Sequence, residues 1–173
     1  NTKKAPTKTD IFNASINFCR GGNYQAAIDG WNGYITKYPN ETYGYYMTAL
    51  SQEKMDTTMA LGLGAPSYQK VIDLAEAQWA TDSAKVKTHL LNAYKYFIQY
   101  TYNVKKDKKG ASDYCARYLL KEPADGEVLA LKKQFDAPAR TTPARTAPAA
   151  KPATGGKTPA KTAATKAAPP KKK

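Results

Sequence analysis

The segment Ala27–Pro39 reads AIDGWNGYITKYP, and the segment Ala111–Pro123 reads ASDYCARYLLKEP. Counted from the alanine, each carries an apolar or thiol side chain at offset 4 (Trp31, Cys115), a tyrosine at offset 7 (Tyr34, Tyr118) and a proline at offset 12 (Pro39, Pro123). Offsets 0, 4 and 7 share one face of an α-helix. A small residue at the first of them lets a second helix axis approach closely. The proline forbids continuation of the helix. The same packing problem is therefore solved twice along the chain, and in each case the solution is helical.

Working outward, helical signals fill the chain up to Asp136, while strand signals are weak, with no sustained apolar–polar alternation. The reading predicts a first helix over Asp10–Arg20, ended by Gly21-Gly22, and a second over Tyr24–Tyr38, capped by Asn23. It predicts a third over Glu41–Ala60, then Gly62 and Gly64 breaking the chain. A fourth over Ala65–Ala80 has Pro66 in its first turn. Thr81 or Asp82 caps a fifth running to Asn103. A sixth over Asp107–Lys121 is ended near Pro123, and a short seventh is capped by Asp125.

The helix–turn–helix order and the small, large, proline spacing resemble the tetratricopeptide repeat (TPR) family. On that resemblance the fold is all-α, a solenoid of about three repeats plus a capping helix. The units run about Lys8–Asn40, Glu41–Ala80 and Asp82–Asp125, the last with Ala93 and Tyr96 as its small and large packing residues. The stretches Leu61–Tyr68, Asn92–Phe97 and Ala111–Pro123 resemble the C-terminal repeats of periplasmic TPR proteins of Gram-negative bacteria. Asp56-Thr57-Thr58 and Asp82-Ser83-Ala84 resemble the three-residue O-glycosylation signal used in that compartment. The resemblance implies a periplasmic, non-enzymatic scaffold, with the cytoplasm as the alternative setting.

Composition divides the chain. From Ala137 to Lys173 there are nine of the 27 basic residues, none of the 14 acidic ones and seven of the 11 prolines, with no Ile, Leu, Val or aromatic residue. Such a stretch has too little apolar surface to offset chain entropy and is expected to be disordered. The organisation expected is a flexible lead-in over residues 1–9, a helical domain over 10–136 and a basic tail over 137–173. Asn1 rather than Met at the start implies a processed end or a piece of a longer chain. The excess charge of +13 belongs mainly to the tail, which argues against a uniformly basic nucleic-acid-binding domain.

No catalytic set emerges. The lone histidine, His89, has no cysteine or acid nearby to complete a nucleophile–base pair, and reads as structural. Cys19 and Cys115 read as small apolar filler on separate helices. Gly62-Leu-Gly64 lacks both the third glycine and the preceding strand of a phosphate loop. No cofactor, metal or small-molecule substrate is expected, and no run is long enough to cross a membrane.

The tyrosines are the unusual feature, 13 in all. Tyr24, Tyr34, Tyr68, Tyr96 and Tyr118 are expected in packing positions. In a TPR stack the first helices of the units line the concave face. The residues turned toward it are expected to be Phe12, Ile16 and Arg20, then Tyr43, Tyr46 and Leu50, then Leu90, Tyr94 and Phe97. Aromatic residues with an arginine are the types that anchor interfaces. Phe12 and Ile16 stand where a carboxylate clamp would need Lys and Asn, so the resemblance points to an apolar groove for a helix or extended peptide. The function expected is a protein–protein scaffold with the tail as tether or spacer. The alternative is an electrostatic binder of an anionic polymer, nucleic acid or cell-envelope polymer, through the tail.

Overall fold

The computed structural model describes residues 5–138. Among them it holds six helices and no strand: α1 (Lys8–Arg20), α2 (Tyr24–Lys37), α3 (Thr42–Met55), α4 (Ala65–Asn103), α5 (Lys108–Leu119) and α6 (Gly126–Asp136). The all-α expectation stands. The disorder expected of the basic tail falls, beyond Pro138, outside the described residues, as does the start of the lead-in.

Local sequence sets each boundary. At α1, Thr7 and Asp10 form a reciprocal capping box: the Asp10 amide donates to the Thr7 hydroxyl and the Thr7 amide to the Asp10 carboxylate. This box starts the helix at Lys8, two residues before the expected point, so the end of the predicted lead-in is part of the fold. Asn23 and Asp125 cap α2 and α6 as anticipated, and Asp107, expected as the first residue of its helix, caps α5; each accepts from a first-turn amide.

The third helix is a correction, because it ends at Met55 rather than Ala60. Asp56 turns the chain, and its carboxylate accepts from the amides of Leu61 (3.1 Å) and Leu63 (3.3 Å). Met59 (φ 58°) and Gly62 (φ 64°) take left-handed conformations within the same loop. The expected boundary between the fourth and fifth helices survives as one non-helical residue, Asp82 (φ −147°, ψ 48°), which divides α4 into two arms, residues 65–81 and 83–103.

Chain neighbours pack against each other in an antiparallel sense. Gln52 meets Ser67 and Asn40, just ahead of α3, meets Gln78 between α3 and the first arm of α4, and Tyr118 meets Asp125 and Ser112 meets Asp136 between α5 and α6. At the α1–α2 crossing, a side chain on Gly30 would collide with Ser15, which is fully buried.

A second set of contacts joins alternate helices in a parallel sense. Phe12 meets Tyr43 and Cys19 meets Ser51, while Thr42 meets His89 and Tyr46 meets Asn92. Further on, Lys95 meets Asp125 and Tyr102 meets Phe135. Residue numbers rise together within each pair of contacts. Thus α1, α3, the second arm of α4 and α6 form a row of side-by-side helices pointing the same way.

One constellation occurs twice in this arrangement. The Tyr34 hydroxyl donates to Glu41 at 2.5 Å, and Lys8 lies 2.6 Å from Glu41 and 5.5 Å from the Tyr34 ring centre. The Tyr118 hydroxyl donates to Asp125 at 2.6 Å, and Lys95 lies 3.3 Å from Asp125 and 5.4 Å from the Tyr118 ring centre. In both, the tyrosine lies in the last turn of one helix and the acid is the N-cap residue of the next helix in the row.

The residues of the matched spacing, Ala27, Trp31, Tyr34 and Ala111, Cys115, Tyr118, are all buried. They divide between a small cluster of Ala27, Trp31 and Tyr34 and a larger one that runs from Ala49 to Phe135.

Candidate functional site

The row of parallel helices is where the expected partner-facing residues fall, and it sorts them into two groups. Phe12 is half-buried, stacked on Tyr43 (5.3 Å, 26° between planes) and edge-on to Trp31 (5.8 Å). Ile16 packs beside it on the small cluster, and Arg20 is exposed at the end of α1. Tyr43, Tyr46 and Leu50 are half-buried along α3. These six lie on, or at the edge of, an accessible surface.

Leu90, Tyr94 and Phe97 are corrections. Leu90 and Tyr94 are fully buried and Phe97 is 6% exposed. Phe97 stacks on Tyr114 of α5 at 5.0 Å. The Tyr94 hydroxyl donates to Glu76 on the first arm of α4, and the Arg117 guanidinium of α5 reaches the same carboxylate at 2.9 Å. The second arm of α4 is flanked by its own first arm and by α5, so it needs an apolar face wider than one stripe. Two adjacent stripes of large residues are then equivalent in the sequence, and only packing decides which is turned inward.

The stripe left accessible is His89, Asn92, Lys95 and Gln99. His89 is stacked on Tyr46 (4.6 Å, 25°), lies edge-on to Tyr43 (5.6 Å) and shares a 2.9 Å hydrogen bond with Thr42. Burial holds its imidazole below the ordinary value. Asn92 donates to the Tyr46 hydroxyl at 2.7 Å. The signal for this stripe was present in the spacing 92, 95, 99, but polar residues on an amphipathic helix read first as a solvated face.

Between α3 and the second arm of α4 lies a cavity of about 270 Å³. Its walls are Tyr46, Leu50 and Met59 together with the buried rings of Tyr68 and Tyr96, and its rim is Glu53, Asn92, Lys95 and Gln99. Glu53 accepts from the Tyr68 hydroxyl at 2.7 Å, and burial with this carboxylate raises the Tyr68 phenol strongly. Tyr96 is 4% exposed, its hydroxyl has no hydrogen-bond partner, and burial pushes it up to about 12. Burial opposes the charge on Lys95, but Asp125 more than compensates and holds the ammonium above its usual value.

The remaining sequence candidates have structural surroundings. Cys19 and Cys115 are both free thiols. Cys19 sits 3.4 Å from the Ser51 hydroxyl, while Cys115 is fully buried and its thiol is pushed up to about 11 by that burial. Gly62 belongs to the loop stapled by Asp56, where Tyr100 covers it. Among the described residues no cluster of three metal-ligating side chains occurs, and no helix is long and apolar enough to cross a membrane. Thr57, Thr58 and Ser83 are exposed.

No family model, no curated protein and no solved structure matches the chain.

Proposed function

We propose that this chain is a TPR-like helical-repeat adaptor that holds a partner protein against the row formed by α1, α3 and the second arm of α4. The observation that carries the proposal is the recurrence of the lysine–tyrosine–acid trio, Lys8–Tyr34–Glu41 and Lys95–Tyr118–Asp125, in each of which the acid stands seven residues after the tyrosine and caps the next helix of the row. A trio repeated in space as well as in sequence supports one structural unit used more than once. Repeats of this kind present an extended surface, and the half-buried aromatics Phe12, Tyr43 and Tyr46 with exposed Arg20 give it interface-type chemistry. The basic stretch from Ala137 onward serves in this reading as tether or spacer. The exposed hydroxyls of the two glycosylation-like triplets agree with a periplasmic setting.

The test is capture of a partner from native extract with the full chain as bait, at low and high salt. Capture that resists salt and is lost in Tyr46→Ala and Arg20→Glu, with helical content retained, is the expected result. Equal capture by both variants and the parent would overturn the adaptor reading. Capture that disappears in salt and on deletion of residues 137–173 would favour the anionic-polymer reading instead.

A further inference from the structure

We propose that the cavity between α3 and the second arm of α4 is an anchor pocket for one aromatic side chain of an extended partner peptide, whose main chain is held by Asn92 and Gln99. The inference rests on the adaptor reading and gives the chemistry of its partner.

Size narrows the occupant. Pockets for drug-sized ligands run from roughly 300 to 1,000 Å³, whereas a cavity of roughly 150 Å³ accepts benzene. At about 270 Å³ this one suits a single substituted ring. The lining agrees, because Tyr46, Tyr68 and Tyr96 offer ring faces and edges, and Leu50 and Met59 offer aliphatic contact.

The rim says what the ring is attached to. Asn92 and Gln99 are seven residues apart on one helix, so their Cα atoms stand about 10.5 Å apart along its axis. That exceeds one ring but matches about three residues of extended chain at roughly 3.3 Å each. A carboxamide both donates and accepts, as a peptide group requires. Asn92 spends one N–H on the Tyr46 hydroxyl and keeps its other N–H and its carbonyl oxygen. Glu53 and Lys95 add one charge of each sign to the rim, and the Lys95 charge is already met by Asp125 at 3.3 Å. A balanced rim favours a neutral segment over a strongly charged one. Tyr96 contributes a buried hydroxyl with no partner beside the cavity. That hydroxyl is itself sealed from solvent, so it makes no demand on the ring, and tyrosine and phenylalanine are both expected to bind.

The experiment titrates N-acetylated, C-amidated alanine peptides with tyrosine, phenylalanine or alanine at the centre into the nitrogen-15-labelled full chain. The aromatic peptides are expected to move the side-chain amide signals of Asn92 and Gln99, while the alanine peptide leaves them in place. Gln99→Ala is expected to weaken binding roughly fivefold, the loss of one net hydrogen bond, without changing the melting curve. Leu50→Trp fills the cavity and is expected to abolish the shifts. Should that variant unfold, Gln99→Ala alone carries the test. Two results would overturn the inference: no shifts with either aromatic peptide, or N-acetyltyrosinamide binding as tightly as the tyrosine peptide. Partner capture that survives Gln99→Ala and Leu50→Trp but fails in Arg20→Glu would remove the pocket and leave the adaptor. Peptide shifts at the cavity, with capture that disappears in salt and on deletion of residues 137–173, would do the reverse.

Discussion

Gly44 and Gly33 look alike in sequence, each inside a helix, but face different surroundings. A Cβ on Gly44 would lie 2.8 Å from Cγ1 of Ile35 and 3.0 Å from Cδ1 of Tyr34, while one on Gly33 would meet nothing within 4 Å. Alanine is better than glycine in a helix by about 1 kcal/mol, whereas forcing atoms into a packed interface costs about 1–3 kcal/mol. Gly33→Ala is therefore expected to stabilise by up to about 1 kcal/mol, and Gly44→Ala to destabilise by a net 1 kcal/mol or so after the two opposing terms are combined. Urea unfolding of the two variants gives both signs.

Asp125 is the residue whose titration reports on the repeated trio. The Tyr118 hydroxyl, then the Val128 amide, hold its carboxyl down to about 2 from an ordinary 3.8. A carboxyl with a depressed folded value stabilises the fold fully above 3.8 and loses that contribution as pH falls toward 2. Tyr118→Phe removes the largest cause, so the carboxyl should rise toward its ordinary value and the acid-dependent loss over that window should shrink. Melting temperatures across the window check it. A Tyr118→Phe profile parallel to the parent's would show that the hydroxyl does not hold the charge.

At the scale of elements, the loop between α3 and α4 is organised by one side chain. Asp56 is 6% exposed and accepts from the amides of Leu61 and Leu63. Asp56→Ala leaves those donors without their partner, and the cost is expected to be about 1–3 kcal/mol. Asp56→Asn keeps one acceptor oxygen and should recover part of it. Because Tyr100 lies over Gly62 in the same loop, the loss should also appear as increased hydrogen exchange at residues 56–64. An Asp56→Ala protein as stable as the parent would mean the loop holds without the carboxylate. The Asp82 break does different work: it folds the second arm of α4 back along the first, so that Tyr68 meets Tyr96 and Glu76 meets Tyr94, and it leaves the first arm packed on α3 and the second facing α5 and α6.

For the described helices together, closely packed helix pairs are chain neighbours, and stability in such an arrangement is a sum of local and nearest-neighbour terms. The two clusters are unequal: three fully or nearly fully buried residues near α1 and α2, against a large set shared by α3 to α6. Opening free energies are therefore expected to be uneven. Amides of α1 and α2 should exchange faster than those of α4 and α5, and emission of buried Trp31 should change at lower urea than helical ellipticity. Coincident transitions would show a single cooperative unit.

Helix content, most helix starts and the inward position of Ala27, Trp31, Tyr34, Ala111, Cys115 and Tyr118 were determined by sequence alone. Caps, prolines and apolar spacing act within one or two turns and need no distant partner. The Asp56 turn was not legible, because the amides that its carboxylate serves are fixed only when the loop closes. The candidate surface was half legible. Phe12, Ile16, Arg20, Tyr43, Tyr46 and Leu50 lie along it, while Leu90, Tyr94 and Phe97 turn inward and His89, Asn92, Lys95 and Gln99 take their place. A helix flanked on two sides has apolar residues over more than half its circumference. Its rotation is then set by its neighbours, here Glu76, Tyr114 and Arg117, and the tertiary structure alone decides which stripe is left for a partner.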